Sequence, residues 1–255
     1  LADTRVWISA MGARLLESEF TIEAPDMTEC VLKLPPGQTL VSIQLAGVPA
    51  IAHPVDEQTW DLTLGATALP RVLEVVSVET SNRSAEVRWP ALFSNDLAIP
   101  VELSLWSVGH AIAVRPLGLG GGAPATEAEL VATRFDRLVS IAETATQLAM
   151  ESPPPDGYRW FRPWAERLHT MRGEVAQIIA GAAGSGRARV STPADEQLAG
   201  AAARLDLWFE QCNKLLGWPR SEQEIQTQES VITSLDASTE SSQWVYCIVE
   251  GGAES

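Results

Sequence analysis

The sequence predicts an α+β chain whose two kinds of structure occupy separate parts: an antiparallel β-sandwich, then an antiparallel helical bundle or hairpin. Three observations predict it. Apolar residues alternate with polar ones in short runs before residue 115. From residue 126 the apolar spacing changes to threes and fours. Between them lies Pro116 to Ala125, a glycine- and proline-rich linker by composition. The expected domains are therefore 1–115 (sandwich), 116–125 (linker), 126–217 (helical arm) and 218–255 (acidic tail with a strand near 243–249).

In the first part, Val31 to Leu34 ends at Pro35-Pro36-Gly37. Val41, Ile43 and Leu45 alternate next and are closed by Gly47. Trp60, Leu62 and Leu64 form another run, with Asp61 and Thr63 facing the other way. Val72 to Val78 is rich in β-branched residues, and Val101, Leu103 and Leu105 alternate with Glu102 and Ser104. Strands of this length bounded by Gly, Pro or Asn are the pattern of an antiparallel sandwich.

The second part opens on a capping box, Thr126 with Glu129. Behind it Val131, Phe135, Leu138, Ala142, Ala145 and Ala149 make one helical stripe, stopped by Pro153-Pro154-Pro155-Asp156-Gly157. Phe161, Trp164, Leu168, Met171, Val175, Ile178 and Ala182 make a second, in a helix beginning near Pro163. Gly181 to Arg189 reads as a crossover. Thr192-Pro193 then starts a third helix, with the stripe Leu198, Ala201, Leu205, Trp208, Cys212 and Leu215, stopped by Gly217-Trp218-Pro219. An average spacing of 3.5 favours coiled-coil-like packing of the three. Arg220 to Ser242 is polar and acidic, and Trp244 to Val249 reads as one more strand. That strand either rejoins the sandwich or opens a further domain; the second option suits a chain that begins at Leu1 and is expected to be a segment of a longer protein.

Charge narrows the function classes. The net charge is −15, and the basic residues are 16 Arg and two Lys with no basic stretch among them. Such a chain has little to neutralise a phosphate backbone or an anionic lipid surface, which argues against nucleic acid and against direct membrane insertion. No run of about 18 apolar residues is present to span a bilayer.

The chemical motifs are sparse. Cys30, Cys212 and Cys247 include no C-x-x-C pair, and Cys30 and Cys212 sit in apolar patterns as inert thiols. His53, His110 and His169 are too isolated for a local metal motif, and no G-x-S-x-G is present. Gly118 to Ala123 matches a dinucleotide fingerprint in spacing only, since Pro124 intervenes and no βαβ unit surrounds it. Gly181 to Arg187 lacks the strand and the lysine of a phosphate loop. Asp56, Glu57 and Asp61 are read as solvated turn acids, and Asn82-Arg83-Ser84 as a glycosylation pattern that matters only in a eukaryotic secretory setting. We expect no catalytic residues, no cofactor and no metal.

Tyr158, Arg159, Trp160, Arg162 and Trp164 form the candidate interaction surface, because alternating aromatics and arginines can stack on planar ligands. The competing reading has these rings plug the end of the bundle. Among the nine tryptophans, Trp7, Trp60, Trp89 and Trp106 belong to the β part. They bind sugar rings if aligned on an exposed face, and fill the core otherwise.

The β part resembles the sandwich modules of large bacterial envelope proteins. The resemblance is carried by Leu32-Lys33-Leu34-Pro35-Pro36-Gly37, Leu40 to Pro49, Trp60-Asp61-Leu62-Thr63-Leu64 and Val101 to Trp106. It implies an extracytoplasmic or periplasmic scaffold and carries over no functional residue; the helical arm departs from a simple tandem β array. The expected role is a non-catalytic structural or protein-interaction segment of a larger envelope-associated protein, with a protein as partner. A carbohydrate-binding module attached to an enzyme elsewhere in the full chain, with a glycan as partner, is the alternative.

Overall fold

The computed structural model describes residues 1–24, 27–65, 67, 69–80, 88, 90–94, 97–110, 123–151, 161–183, 192–216 and 243–250. The side chains of 110, 163, 177–183, 215, 216, 243 and 250 lie outside that description.

The strands are β1 (Ala2–Ile8), β2 (Arg14–Ile22), β3 (Glu29–Lys33), β4 (Gln38–Leu45), β5 (Val48–Pro49), β6 (Ile51–Pro54) and β7 (Thr59–Thr63). They continue as β8 (Arg71–Glu79), β9 (Ala91–Ser94), β10 (Leu97–Ala98), β11 (Leu103–His110), β12 (Ala123–Ala125) and β13 (Gln243–Glu250). The helices are α1 (Glu127–Glu151), α2 (Phe161–Ala183) and α3 (Pro193–Leu216). One sheet has eight strands in the order β12-β13-β11-β1-β2-β8-β4-β5, the other five in the order β10-β9-β3-β7-β6. The content is thus mixed α and β, with two mostly antiparallel sheets.

The two sheets share one hydrophobic cluster. Alternation puts Ala2, Phe20, Ile22, Ile43, Leu73 and Val75 of the larger sheet against Cys30, Leu32, Leu62, Leu64 and Leu92. On the same face of the larger sheet, Val6, Leu16, Trp106 and Cys247 form a smaller cluster. Polar side chains separate the two: Thr4 donates to Ser18 at 3.2 Å, and Ser77 donates to Gln38 at 3.2 Å.

One strand pair departs from the antiparallel expectation. β1 and β11 run parallel, Ala2 opposite Ser104 through Ile8 opposite His110. Parallel neighbours need a long crossover, and here the whole of the second sheet lies in sequence between them. The strand at the chain's end also departs from the favoured reading. β13 pairs antiparallel with β11, placing Cys247 in the small cluster, so it completes the first sheet rather than opening a further domain. Ala123–Ala125, read as the end of a linker, pairs with Ile248 to Tyr246.

The helices follow their stripes. Phe135, Leu138, Ala142, Ala145 and Ala149 of α1 are buried with Phe161, Trp164, Leu168, Met171 and Val175 of α2 and Leu198, Ala201, Leu205, Trp208 and Cys212 of α3. α1 and α3 run in the same sense: Arg204 holds Asp136 at 2.8 Å, and further along the Trp208 indole N–H donates to Thr146 at 2.7 Å. α2 extends to Ala183, three residues into the expected crossover.

The helical layer is tied to the outer face of the larger sheet. Arg134 pairs with Asp3 at 2.6 Å, Arg137 with Glu23 and Glu102 at 2.7 and 2.8 Å, and Arg167 with Glu19. Leu1 and Val72 of the sheet pack against the helical cluster, which also includes Leu69. The helices therefore dock on the sheet, where the sequence suggested an arm standing beyond a linker.

Candidate interaction surfaces

The expected surface of Tyr158, Arg159, Trp160, Arg162 and Trp164 divides. Tyr158, Arg159 and Trp160 lie outside the described residues. Arg162 is exposed on α2 and pairs with Glu166 one turn on at 3.0 Å, a contact worth only a few tenths of a kcal/mol by the usual i,i+4 figure of about 0.3–0.5. Trp164 is 5% exposed and sits in the helical cluster, with the Arg167 guanidinium 5.8 Å from its ring. This ring is a core residue and presents nothing to a partner; its place at helical spacing from Phe161 and Leu168 puts it on the buried stripe.

The remaining sequence candidates are placed as follows. Trp106 is 1% exposed, Trp60 is half-buried against the cluster between the sheets, and Trp89 lies outside the described residues. His53 is exposed, and His169 meets Phe209 edge-on at 6.4 Å. Asn82-Arg83-Ser84 is not described, nor are the glycines of either glycine-rich motif apart from Gly181 in the last turn of α2. Among the described residues no three His, Cys, Asp or Glu side chains converge as metal ligands. Burial pushes the Cys30 thiol up to about 11 and the Cys212 thiol up to about 12, so both are protonated at neutral pH.

Among the described residues two further surfaces stand out. Of their members the sequence singles out Trp7 and the acids Asp56, Glu57 and Asp61, but not the apolar edge or the pairing of Trp7 with Trp244. The first is the open edge where β5 and β6 adjoin, joined by Ala50 alone. Val48 and Ile51 are each 62% exposed and Val55 is 59% exposed. Val41, 57% exposed, lies where the β4–β8 register shifts. Between residues 34 and 70 there is neither Lys nor Arg, while Asp56, Glu57 and Asp61 are exposed. The Gln58 N–H donates to Asp56 at 2.7 Å and lowers its carboxyl from the ordinary value, and the Val55 N–H donates to the Thr59 carbonyl at 2.9 Å. The turn carrying Val55 is therefore held in shape by its own hydrogen bonds.

The second surface is a row crossing the outer face of the larger sheet. Trp244 stands opposite Gly109, Gly109 opposite Trp7, Trp7 opposite Leu15, and Leu15 opposite Val78. These four side chains are half-buried and join none of the three hydrophobic clusters. The Trp7 and Trp244 rings are 5.9 Å apart at 84°. Tyr246 sits two residues along β13, where burial and then its neighbour Glu127 raise its phenol. α1 starts there and runs away from Trp244, towards Asp3 and Glu23.

No family model matches the chain, and no curated protein matches it. Among solved structures, an M1 zinc metallopeptidase from Deinococcus radiodurans is similar over 43% of this chain and 31% of its own, at 15% identity and a TM-score of 0.31. Legionella pneumophila aminopeptidase A, bound to aspartic acid, is similar over 43% of this chain and 15% of its own, at 12% identity and a TM-score of 0.29. Yeast LTA4 hydrolase with bestatin is similar over 43% and 22%, at 12% identity and a TM-score of 0.29. The chain spans less than a third of each of these structures. At such TM-scores the likeness carries no argument about fold or function.

Proposed function

We propose that this chain is a non-catalytic protein-interaction segment of a larger bacterial envelope-associated protein, extracytoplasmic or periplasmic in location. On this reading the two sheets form a sandwich and the three helices an antiparallel bundle attached to it. The observation that supports it best is the apolar edge of Val48, Ile51 and Val55. Contiguous exposed apolar surface marks interaction sites, and these three large exposed side chains lie within eight residues of one another. The edge strands are short, and Pro49 and Pro54 remove backbone donors there, which disfavours simple strand addition. The contact is therefore made by side chains. The acids Asp56, Glu57 and Asp61 beside them favour a partner whose apolar patch is ringed by Lys or Arg. A second copy of this chain, itself at −15, is the wrong partner on charge.

The test is to immobilise the chain and compare what it retains from the host's envelope extract with what the Val48→Ser/Ile51→Ser/Val55→Ser variant retains. One retained protein lost with the variant, and released by raised salt, supports the reading. An identical set on both chains overturns it.

A further inference from the structure

Trp244 and Trp7 meet in a way that the rest of the molecule does not require. A Cβ placed on Gly109 would lie 2.9, 2.9 and 3.0 Å from three atoms of the Trp244 six-membered ring. Near-equal distances to three ring atoms mean that the indole lies face-on over the glycine, a place any other residue would obstruct. Trp7, at 84° to it, stands upright beside it. One indole is thus a floor along the sheet and the other a wall. Two residues along the strands, about 6.6 Å away at the usual rise, Arg5 and Glu17 face each other in register and both are exposed. They share the outer face with Trp7.

We propose that this corner is a binding subsite for a pyranose with equatorial hydroxyls. A sugar of that kind has a flat C–H face, suited to the outward face of Trp244 and bounded by Trp7. Its rim carries hydroxyls that accept from the Arg5 guanidinium and donate to the Glu17 carboxylate. An apolar peptide side chain in the same place would strip water from both charges and give neither a partner. A nucleobase would suit the rings, but the phosphates that accompany it oppose a chain of net charge −15. The perpendicular rings form a site for one sugar ring rather than a flat strip along a glycan. The site shares no residue with the Val48–Val55 edge, so it stands or falls separately from the protein-interaction reading.

The probes are cellohexaose and chitohexaose, titrated into the full chain by calorimetry and tryptophan fluorescence. We expect at least one to bind and to perturb the fluorescence. Trp244→Ala should weaken it at least about tenfold, the scale of one lost aromatic stack. Arg5→Ala, at an exposed position, leaves the fold intact and should weaken it several-fold. Gly109→Ala keeps both tryptophans but displaces the floor, and should also weaken binding, with circular dichroism checking that it folds. No binding of either sugar at millimolar concentration overturns the proposal. So does binding that Arg5→Ala and Gly109→Ala both leave unchanged, or binding at the corner of a hydrophobic peptide but of neither sugar.

Discussion

Glu74 illustrates how single residues in this chain are set by their neighbours. Its carboxyl is raised above the ordinary value by burial first, then by Glu19 opposite it and by Glu17, with Arg167 partly offsetting them. Because its folded-state pKa exceeds the unfolded one, Glu74 stabilises the fold below its unfolded value, and that stabilisation is lost as pH rises through the folded value. Glu74→Gln should therefore be more stable than the parent at pH 7, by up to about 1 kcal/mol for a partly solvated like-charge contact. The two should match near pH 3. Urea denaturation at both pH values measures this; a variant less stable at pH 7 contradicts it. The opposite arrangement holds at Arg14 and Glu79, a buried ion pair at 3.1 Å, where losing either partner leaves a charge in a poorly solvated place.

The elements explain which parts of the fold were legible in the sequence. The helices were, because each stripe repeats without a break and the starts of α1 and α3 carry side-chain caps. The Thr126 and Glu129 N–H and side-chain groups bond reciprocally, at 2.7 Å and 3.2 Å. The third helix does the same with Thr192 and Asp195, at 2.9 Å and 3.3 Å. Thr192→Ala should cost about 1 kcal/mol, read by thermal or urea denaturation. Thr126 holds the Glu129 carboxyl below its ordinary value, so the stability from that cap is present above the unfolded value and lost as pH falls through the folded one. A Glu129→Ala variant should thus approach the parent in stability as pH drops, and a gap that persists at pH 2 contradicts it. β1 and β2 were hidden for a physical reason. Asp3, Thr4 and Ser18 are buried polar residues, Asp3 paired through one carboxylate oxygen with Arg134 of α1 and Thr4 bonded to Ser18 of the neighbouring strand, so they break the alternation that marks a half-buried strand. The Trp244–Gly109–Trp7 row was hidden because three distant segments assemble it, two of them through a parallel pair with no local signature.

At the scale of the whole molecule, sequence order and spatial order part company. The change of period at residue 126 suggested separate parts, yet α1 and α2 are fastened to the sheet by Arg134, Arg137 and Arg167, and the last strand returns beside β11. Ion pairs between elements leave no periodic trace, so composition could not reveal the docking. Among the described residues the β5–β6 edge is left open, with β5 at the end of the larger sheet away from β13. The interaction reading rests there, and site-specific photocrosslinking tests it most directly. A photoreactive residue is placed at position 51, and a control at exposed Thr170 on α2, with the chain exposed to its native envelope fraction. One dominant crosslinked protein is expected from position 51, lost when Val48 and Val55 are changed to serine, and none from position 170. Equal labelling from both positions, or none from position 51, would contradict it.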